Sequence, residues 1–167
     1  MPGLTGVAGA ALAQAAAVCF DSQGHSSGVD LVIERGMPGT HKVFWDPVTD
    51  EMRRTWRDPT ECTEYGAAGV AVLLADKLLN MVVWSRSYVG TGFDYWIGMR
   101  KMFWVETFEG LTRLEVSGIR RETARRRVAA RVKRKVAQIN RFRDDSPWVV
   151  IVVEFGKPQA AIDFVKS

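Results

Sequence analysis

Cysteine is scarce in this chain, with Cys19 and Cys62 the only two among 167 residues. They form no CxxC pair and, with the two histidines His25 and His41, no His/Cys cluster. A structural zinc site and a disulfide framework are therefore excluded as organising principles. No Gly-rich Walker loop, dinucleotide fingerprint or Gly-x-Ser-x-Gly elbow is present, which removes the common nucleotide-binding and serine-hydrolase readings. His25 sits in Gly-His-Ser-Ser-Gly, which reads as a loop and not as a catalytic base beside a serine. There is no repeat, no low-complexity tract and no Pro- or Ser-rich linker.

Apolar content of 47% and charged content of 25% are those of an ordinary globular domain. The length suits one domain with a real core. Residues 4–20 are rich in alanine, yet no basic segment precedes them and Thr5 and Gln14 interrupt them. The run is too short to span a bilayer, so it reads as a small-residue helix packed on the domain, in a cytoplasmic protein that avoids membranes.

Positive charge is concentrated. Residues 120–143 hold eleven Lys or Arg and a single acid, Glu122, whereas the rest of the chain has twelve basic against eighteen acidic residues. Val128, Val132, Val136 and Ile139 recur at helical spacing within this segment. The pattern predicts an amphipathic helix with an apolar stripe on the core. Its outer face carries Arg127, Arg131, Lys133 and Lys135, a surface suited to phosphates.

Elsewhere the pattern predicts helix over residues 3–19, strand over 29–34, a turn at 36–39 and a partner strand over 42–45. A short helix opens at Asp46-Pro47, and a long one, capped by Asp58 or Thr60, runs to about Leu79. Strand character marks residues 81–87, 93–97 and 111–117, with residues 99–108 either extending the second strand or forming a hairpin arm. Residues 148–155 (WVVIVVEF) read as a strand buried on both faces. The expected fold is α/β: a central mixed sheet with an αβββαβ core flanked by helices, plus an N-terminal helix and β-hairpin. The single domain divides into residues 1–57, the core over 58–156, and a C-terminal tail over 157–167.

Two carboxylates stand out within that core. Asp94 follows Gly90-Thr91-Gly92-Phe93, and Glu115 lies in Leu-Glu-Val-Ser-Gly. Residues two apart on a strand share a face, so Arg113, Glu115 and Ser117 point one way and Leu114 and Val116 the other. Asp94 and Glu115 are hard oxygen donors of the kind Mg²⁺ or Mn²⁺ prefers. Gly90 and Gly92 permit positive φ and a close approach to the backbone at Thr91. Of the six tryptophans, Trp96 and Trp104 lie nearest this segment.

In its order of elements from about residue 60 to 156, and in these two carboxylates, the chain resembles the PD-(D/E)xK, or restriction-endonuclease-like, nucleases. The resemblance implies Asp94 and Glu115 as catalytic metal ligands for Mg²⁺ (Mn²⁺ as a substitute), joined by an acid on the preceding helix, Glu64 or Glu61. It implies nucleic-acid contacts at Arg86, Thr91, Arg113 and Gln138 and along the basic helix at Arg127, Arg131 and Lys135. The chain departs from the pattern at Ser117, where the family carries lysine. A cation from Lys101, Lys133 or Lys135 would replace it, or Arg113 would act as an electrostatic stabiliser. Three readings follow: a nuclease-like protein that binds DNA or RNA, with Mg²⁺-dependent phosphodiester hydrolysis at a degenerate active site; a nucleic-acid binder without chemistry; or a non-catalytic scaffold whose basic helix meets an acidic protein or a second copy of the chain.

Overall fold

The computed structural model describes residues 1–100, 108–125, 127–140 and 146–165. Eleven elements follow in order: α1 (Gly6–Ser22), β1 (Val29–Arg35), β2 (Gly39–Val43), α2 (Asp50–Thr55), α3 (Pro59–Leu79), β3 (Met81–Arg86), β4 (Tyr95–Met99), β5 (Thr112–Ile119), α4 (Val128–Ile139), β6 (Trp148–Glu154) and β7 (Gln159–Val165). The strands form one seven-stranded mixed sheet in the order β2-β1-β7-β6-β5-β4-β3. The α/β class and the αβββαβ core are as the sequence predicts.

The sheet separates two apolar layers. Leu114, Val149, Ile151, Val153 and Ile162 face α1 and α3. Val150, Val152, Ala161 and Trp148 face α4, which contributes Val128, Val132 and Ile139. The valine stripe predicted for the basic segment is thus the stripe that docks. Every residue of β6 is buried, as expected of a strand covered on both sides.

Helix α3 begins with Asp58, whose carboxylate accepts from Thr60 N and Glu61 N, each at 2.8 Å, with Pro59 in the first turn. It ends at Asn80 in the left-handed conformation, φ 54°. Small residues let α1 lie close on it. A Cβ on Gly69 would stand 2.7 Å from the Leu12 carbonyl oxygen. Gly118 does the same between layers, since a Cβ there would stand 2.6 Å from Thr63 Cγ2. The first turns of α3 therefore sit directly on the end of β5.

Several boundaries differ from the sequence reading, among them the partner strand expected over residues 42–45, which is β2 at Gly39–Val43. The expected C-terminal tail is mostly strand β7, inserted between β1 and β6 with Ala160, Ala161 and Ile162 buried. It makes the N-terminal hairpin part of the main sheet, because β1 pairs with β7 in parallel. Two alanines among its seven residues weaken the strand signal, which registry with β6 restores. The basic helix is shorter than its charge run, at twelve residues. Residues 120–125 are held away from helical geometry: Glu122 N donates to Glu154 Oε1 at 3.0 Å and Arg121 Nε to Gln23 Oε1 at 2.9 Å. The short helix α2 is capped by Thr49, not opened by Pro47. Most of the arm expected over 99–108 lies outside the described residues, with Lys101 and Trp104.

Candidate functional site

The glycine-bearing connection between β3 and β4 is a tied turn. Ser87 N donates to the Asp94 carbonyl at 2.9 Å, Thr91 Oγ1 donates to the Tyr88 carbonyl at 2.8 Å, and the Ser87 and Thr91 hydroxyls bond to each other. Gly90 and Gly92 adopt φ 94° and 81°, which side-chain-bearing residues rarely take. Thr91 thus works as an internal strut of the turn. The turn delivers Asp94 to the start of β4. Its backbone N–H reaches the Leu114 carbonyl at 3.0 Å, and its Oδ2 accepts from Val116 N at 2.7 Å. The Asp94 side chain continues the ladder to β5 where β4 has not yet begun.

Glu115 lies on the α4 side of β5, opposite Leu114 as the alternation predicts, with 5% of its surface exposed. Lys135 Nζ donates to its Oε1. One turn earlier on α4, Arg131 donates to Ser117 Oγ at 2.7 Å. The match is geometric: two residues along a strand advance about 6.6 Å and four along a helix about 6 Å. The pairs run in opposite order because α4 runs back along β5. Among the described residues, Lys135 is the replacement cation foreseen for Ser117 that reaches Glu115. Lys133 is exposed, two residues away on the helix.

The carboxylates of Asp94 and Glu115 lie close enough to influence each other's ionisation. Loss of water pushes Glu115 up to about 7; the Lys135 hydrogen bond opposes this and the Asp94 charge reinforces it. Asp94 is open to solvent at the rim but flanked by protein on its inner side. This partial burial raises its pKa, against the Val116 N–H, Lys135 and Arg86. Burial thus disfavours ionising both carboxylates at once.

A cavity of about 360 Å³ opens onto these groups, lined among others by Glu64, Tyr65, Arg86, Asp94, Glu115, Ser117, Arg131 and Lys135. Beside it runs a larger groove of about 1010 Å³. The first turns of α3 (Pro59, Thr60, Thr63) form one wall, and Arg120, Arg121, Arg125, Arg127, Arg131 and Arg134 line the remainder. Glu64, Gly118 and Arg131 border both. The flat contact at Gly118 joins the two spaces.

No family model, curated protein or solved structure matches this chain.

The structure brings together most of the residues singled out from sequence: Asp94, Glu115, Ser117, Glu64, Arg86, Arg131 and Lys135 at the cavity, with Arg127 along the groove. Glu64 stands at the junction of the two spaces, exposed. Gln138 is exposed on α4 and lines neither. Arg113 is drawn elsewhere: its guanidinium carbon lies 5.3, 5.1 and 5.0 Å from the ring centres of Phe93, Trp96 and Trp148. That aromatic enclosure makes it a packing cation. Trp96 is likewise engaged, edge-on to Phe93 at 4.8 Å. Among the described residues, no group of three or more His, Cys, Asp or Glu side chains is arranged to hold a metal.

Sequence reasoning passed over Glu154, a fully buried carboxylate. It accepts from Glu122 N at 3.0 Å, Gly156 N at 2.8 Å and Lys157 N at 2.7 Å, while Glu122 Oε1 accepts from Val128 N at 2.7 Å. Two acids in series thus fix where α4 starts, and with it the height of Arg131 and Lys135. A lone Glu ending an apolar strand before a Gly turn was the available signal.

Proposed function

We propose that this protein is a metal-dependent nuclease that binds nucleic acid along the arginine groove and hydrolyses a phosphodiester at Asp94, Glu115 and Lys135. The observation that carries the reading is the Lys135–Glu115 pair. A cation from α4 stands beside the carboxylate whose own strand offers Ser117 where a lysine is expected. The arginine groove opening into the same cavity supports the substrate class, because closely spaced guanidinium groups need a compensating polyanion.

The donor set fits a hard divalent ion. Asp94 and Glu115 are both oxygen donors, their charges are poorly tolerated together, and Mg²⁺ is commonly held by one or two carboxylates and completed by water. Asp94 and Glu115 would hold it; when bound, it would polarise a phosphoryl oxygen and favour ionisation of the attacking water. The attacking water gives its proton to bulk water as its oxygen bonds to phosphorus. Lys135 and Arg131 stabilise the negative charge that builds on the phosphoryl oxygens. The bond to the leaving sugar oxygen breaks, and that oxygen takes a proton from solvent water.

The test is cleavage of labelled single-stranded, double-stranded and branched DNA and of RNA with Mg²⁺ or Mn²⁺, wild type beside Asp94→Ala. Metal-dependent cutting that the variant lacks supports the reading. Salt-sensitive binding without cutting would leave a binding protein on this fold, and neither would turn attention to an acidic protein partner or a second copy.

A further inference from the structure

The turn that supplies Asp94 also carries Tyr88 and Val89 at its tip, and both stand out in solvent, 85% and 106% exposed. Water-exposed apolar groups are common singly, but two adjacent ones on a rigid support are not explained by packing. The support is rigid here. The Ser87–Thr91 hydroxyl bond and the Thr91 bond to the Tyr88 carbonyl brace the turn from inside. One foot is Arg86 and the other is Asp94, both lining the small cavity. The tip is thus held a fixed few residues from the carboxylates, on the β3–β4 side of the cavity, while the arginine groove adjoins it through Arg131 and the α3 face.

We infer that the Tyr88–Val89 tip engages unpaired nucleobases beside the phosphate to be cut, making the protein selective for single-stranded or branched nucleic acid over continuous duplex. This rests on the nuclease reading of the same site. The chemistry divides between the two surfaces: arginines take up phosphates without regard to base, whereas an aromatic ring face with an aliphatic neighbour carries no charge for phosphate. Apart from the Tyr88 hydroxyl, which can also donate to a phosphate, the tip offers a stacking face and a wedge to bases free of the duplex stack. In a continuous duplex those base faces are already covered, and only the backbone remains to be bound.

The inference is tested by fluorescence anisotropy in EDTA, where nothing is cut, with a labelled single strand, a blunt duplex of the same sequence and a splayed fork. The proteins are wild type, Tyr88→Ala/Val89→Ser and Tyr88→Phe; thermal melting confirms that all are folded. The expected result is that wild type prefers single strand and fork over duplex by about tenfold, a factor typical of one stacked base. The double variant loses that preference while its duplex affinity is unchanged, and Tyr88→Phe keeps it. Salt-sensitive binding with no such preference, or with one untouched by the double variant, overturns the inference and leaves the nuclease reading standing. Failure of wild type to bind any of the three overturns both.

Discussion

Lys135 reaches from α4 to the carboxylate of Glu115 on β5, and it does so from the helical position one turn after Arg131, which holds Ser117. A cation is therefore present beside Glu115 even though the strand itself supplies only a serine. Its removal should reduce turnover strongly. Lys135→Ala is expected to lower kcat by 10²-fold or more, the scale of losing one positioned charge stabiliser. The steady-state rate on whichever substrate wild type cuts would show it.

The same relationship predicts a rescue. Ser117→Lys in the Lys135→Ala background returns an ammonium to the face that Lys135 served, and should recover at least tenfold of the lost rate. In wild type the same substitution adds a third cation next to Arg131 and Lys135, so it should not accelerate cleavage. Equal inactivity of the single and double variants would argue that Lys135 acts only by supporting the fold.

Glu115 makes the protein's stability depend on pH. Its pKa rises from an ordinary 4.5 to about 7 on folding, chiefly by burial. The fold thus favours the protonated form. The stabilisation is fully present below the unfolded value, shrinks as pH rises from there, and is lost on passing through about 7. Melting temperature should accordingly fall between pH 5 and 8. Glu115→Gln, which cannot ionise, should flatten that profile and melt higher than wild type at pH 8. At that pH Mg²⁺ should raise the melting temperature of wild type and leave Glu115→Gln unmoved, because a ligand stabilises only the state it binds.

Close approach between layers should be intolerant of even a methyl group. Gly69→Ala places a Cβ against the Leu12 carbonyl, and Gly118→Ala places one against Thr63. Each should cost roughly 1–3 kcal/mol, measured by denaturant unfolding. Gly118→Ala should in addition lower activity, because Gly118 joins the cavity to the arginine groove.

How much of this was legible in the sequence depends on range. The valine stripe of α4, the buried strand β6 and the alternation that sets Glu115 on the face opposite Leu114 follow from local periodicity, while the packing of α4 on that face does not. Asp94 was legible because its glycine-rich approach is a local signal. The arginine run announced a charged surface, but its extent as a helix did not follow, since Glu154, distant in sequence, takes up the Glu122 N–H. Strand β7 was missed because Gln159-Ala160-Ala161 has little strand propensity and is held by pairing on both edges. The fate of Arg113 was invisible for the same reason: rings from two separate segments, Phe93 and Trp96 at β4 and Trp148 on β6, enclose it. The Lys135–Glu115 pairing lay in between. An i, i+2 pair on a strand followed by an i, i+4 pair of cations on the next helix is readable once the helix is known to pack back on that strand.

The arginine groove should govern affinity and its response to salt. Replacing Arg125, Arg127 and Arg134 with alanine should weaken binding to single- and double-stranded nucleic acid alike. It should also reduce the slope of log affinity against log salt by about 2–3, the counter-ions that three phosphate contacts release. A change confined to one sequence or one strand form would mean that these arginines read bases.

The central claim is that Asp94, Glu115 and Lys135 form one hydrolytic centre. Its most direct measurement is metal-dependent cleavage of a labelled branched DNA by wild type, Asp94→Ala, Glu115→Gln and Lys135→Ala, each shown folded by melting. The account predicts cutting by wild type with Mg²⁺ or Mn²⁺, none in EDTA, and loss of at least 10²-fold in each of the three variants. Cutting by wild type that survives all three substitutions, or no cutting by wild type of any DNA or RNA offered, would contradict it.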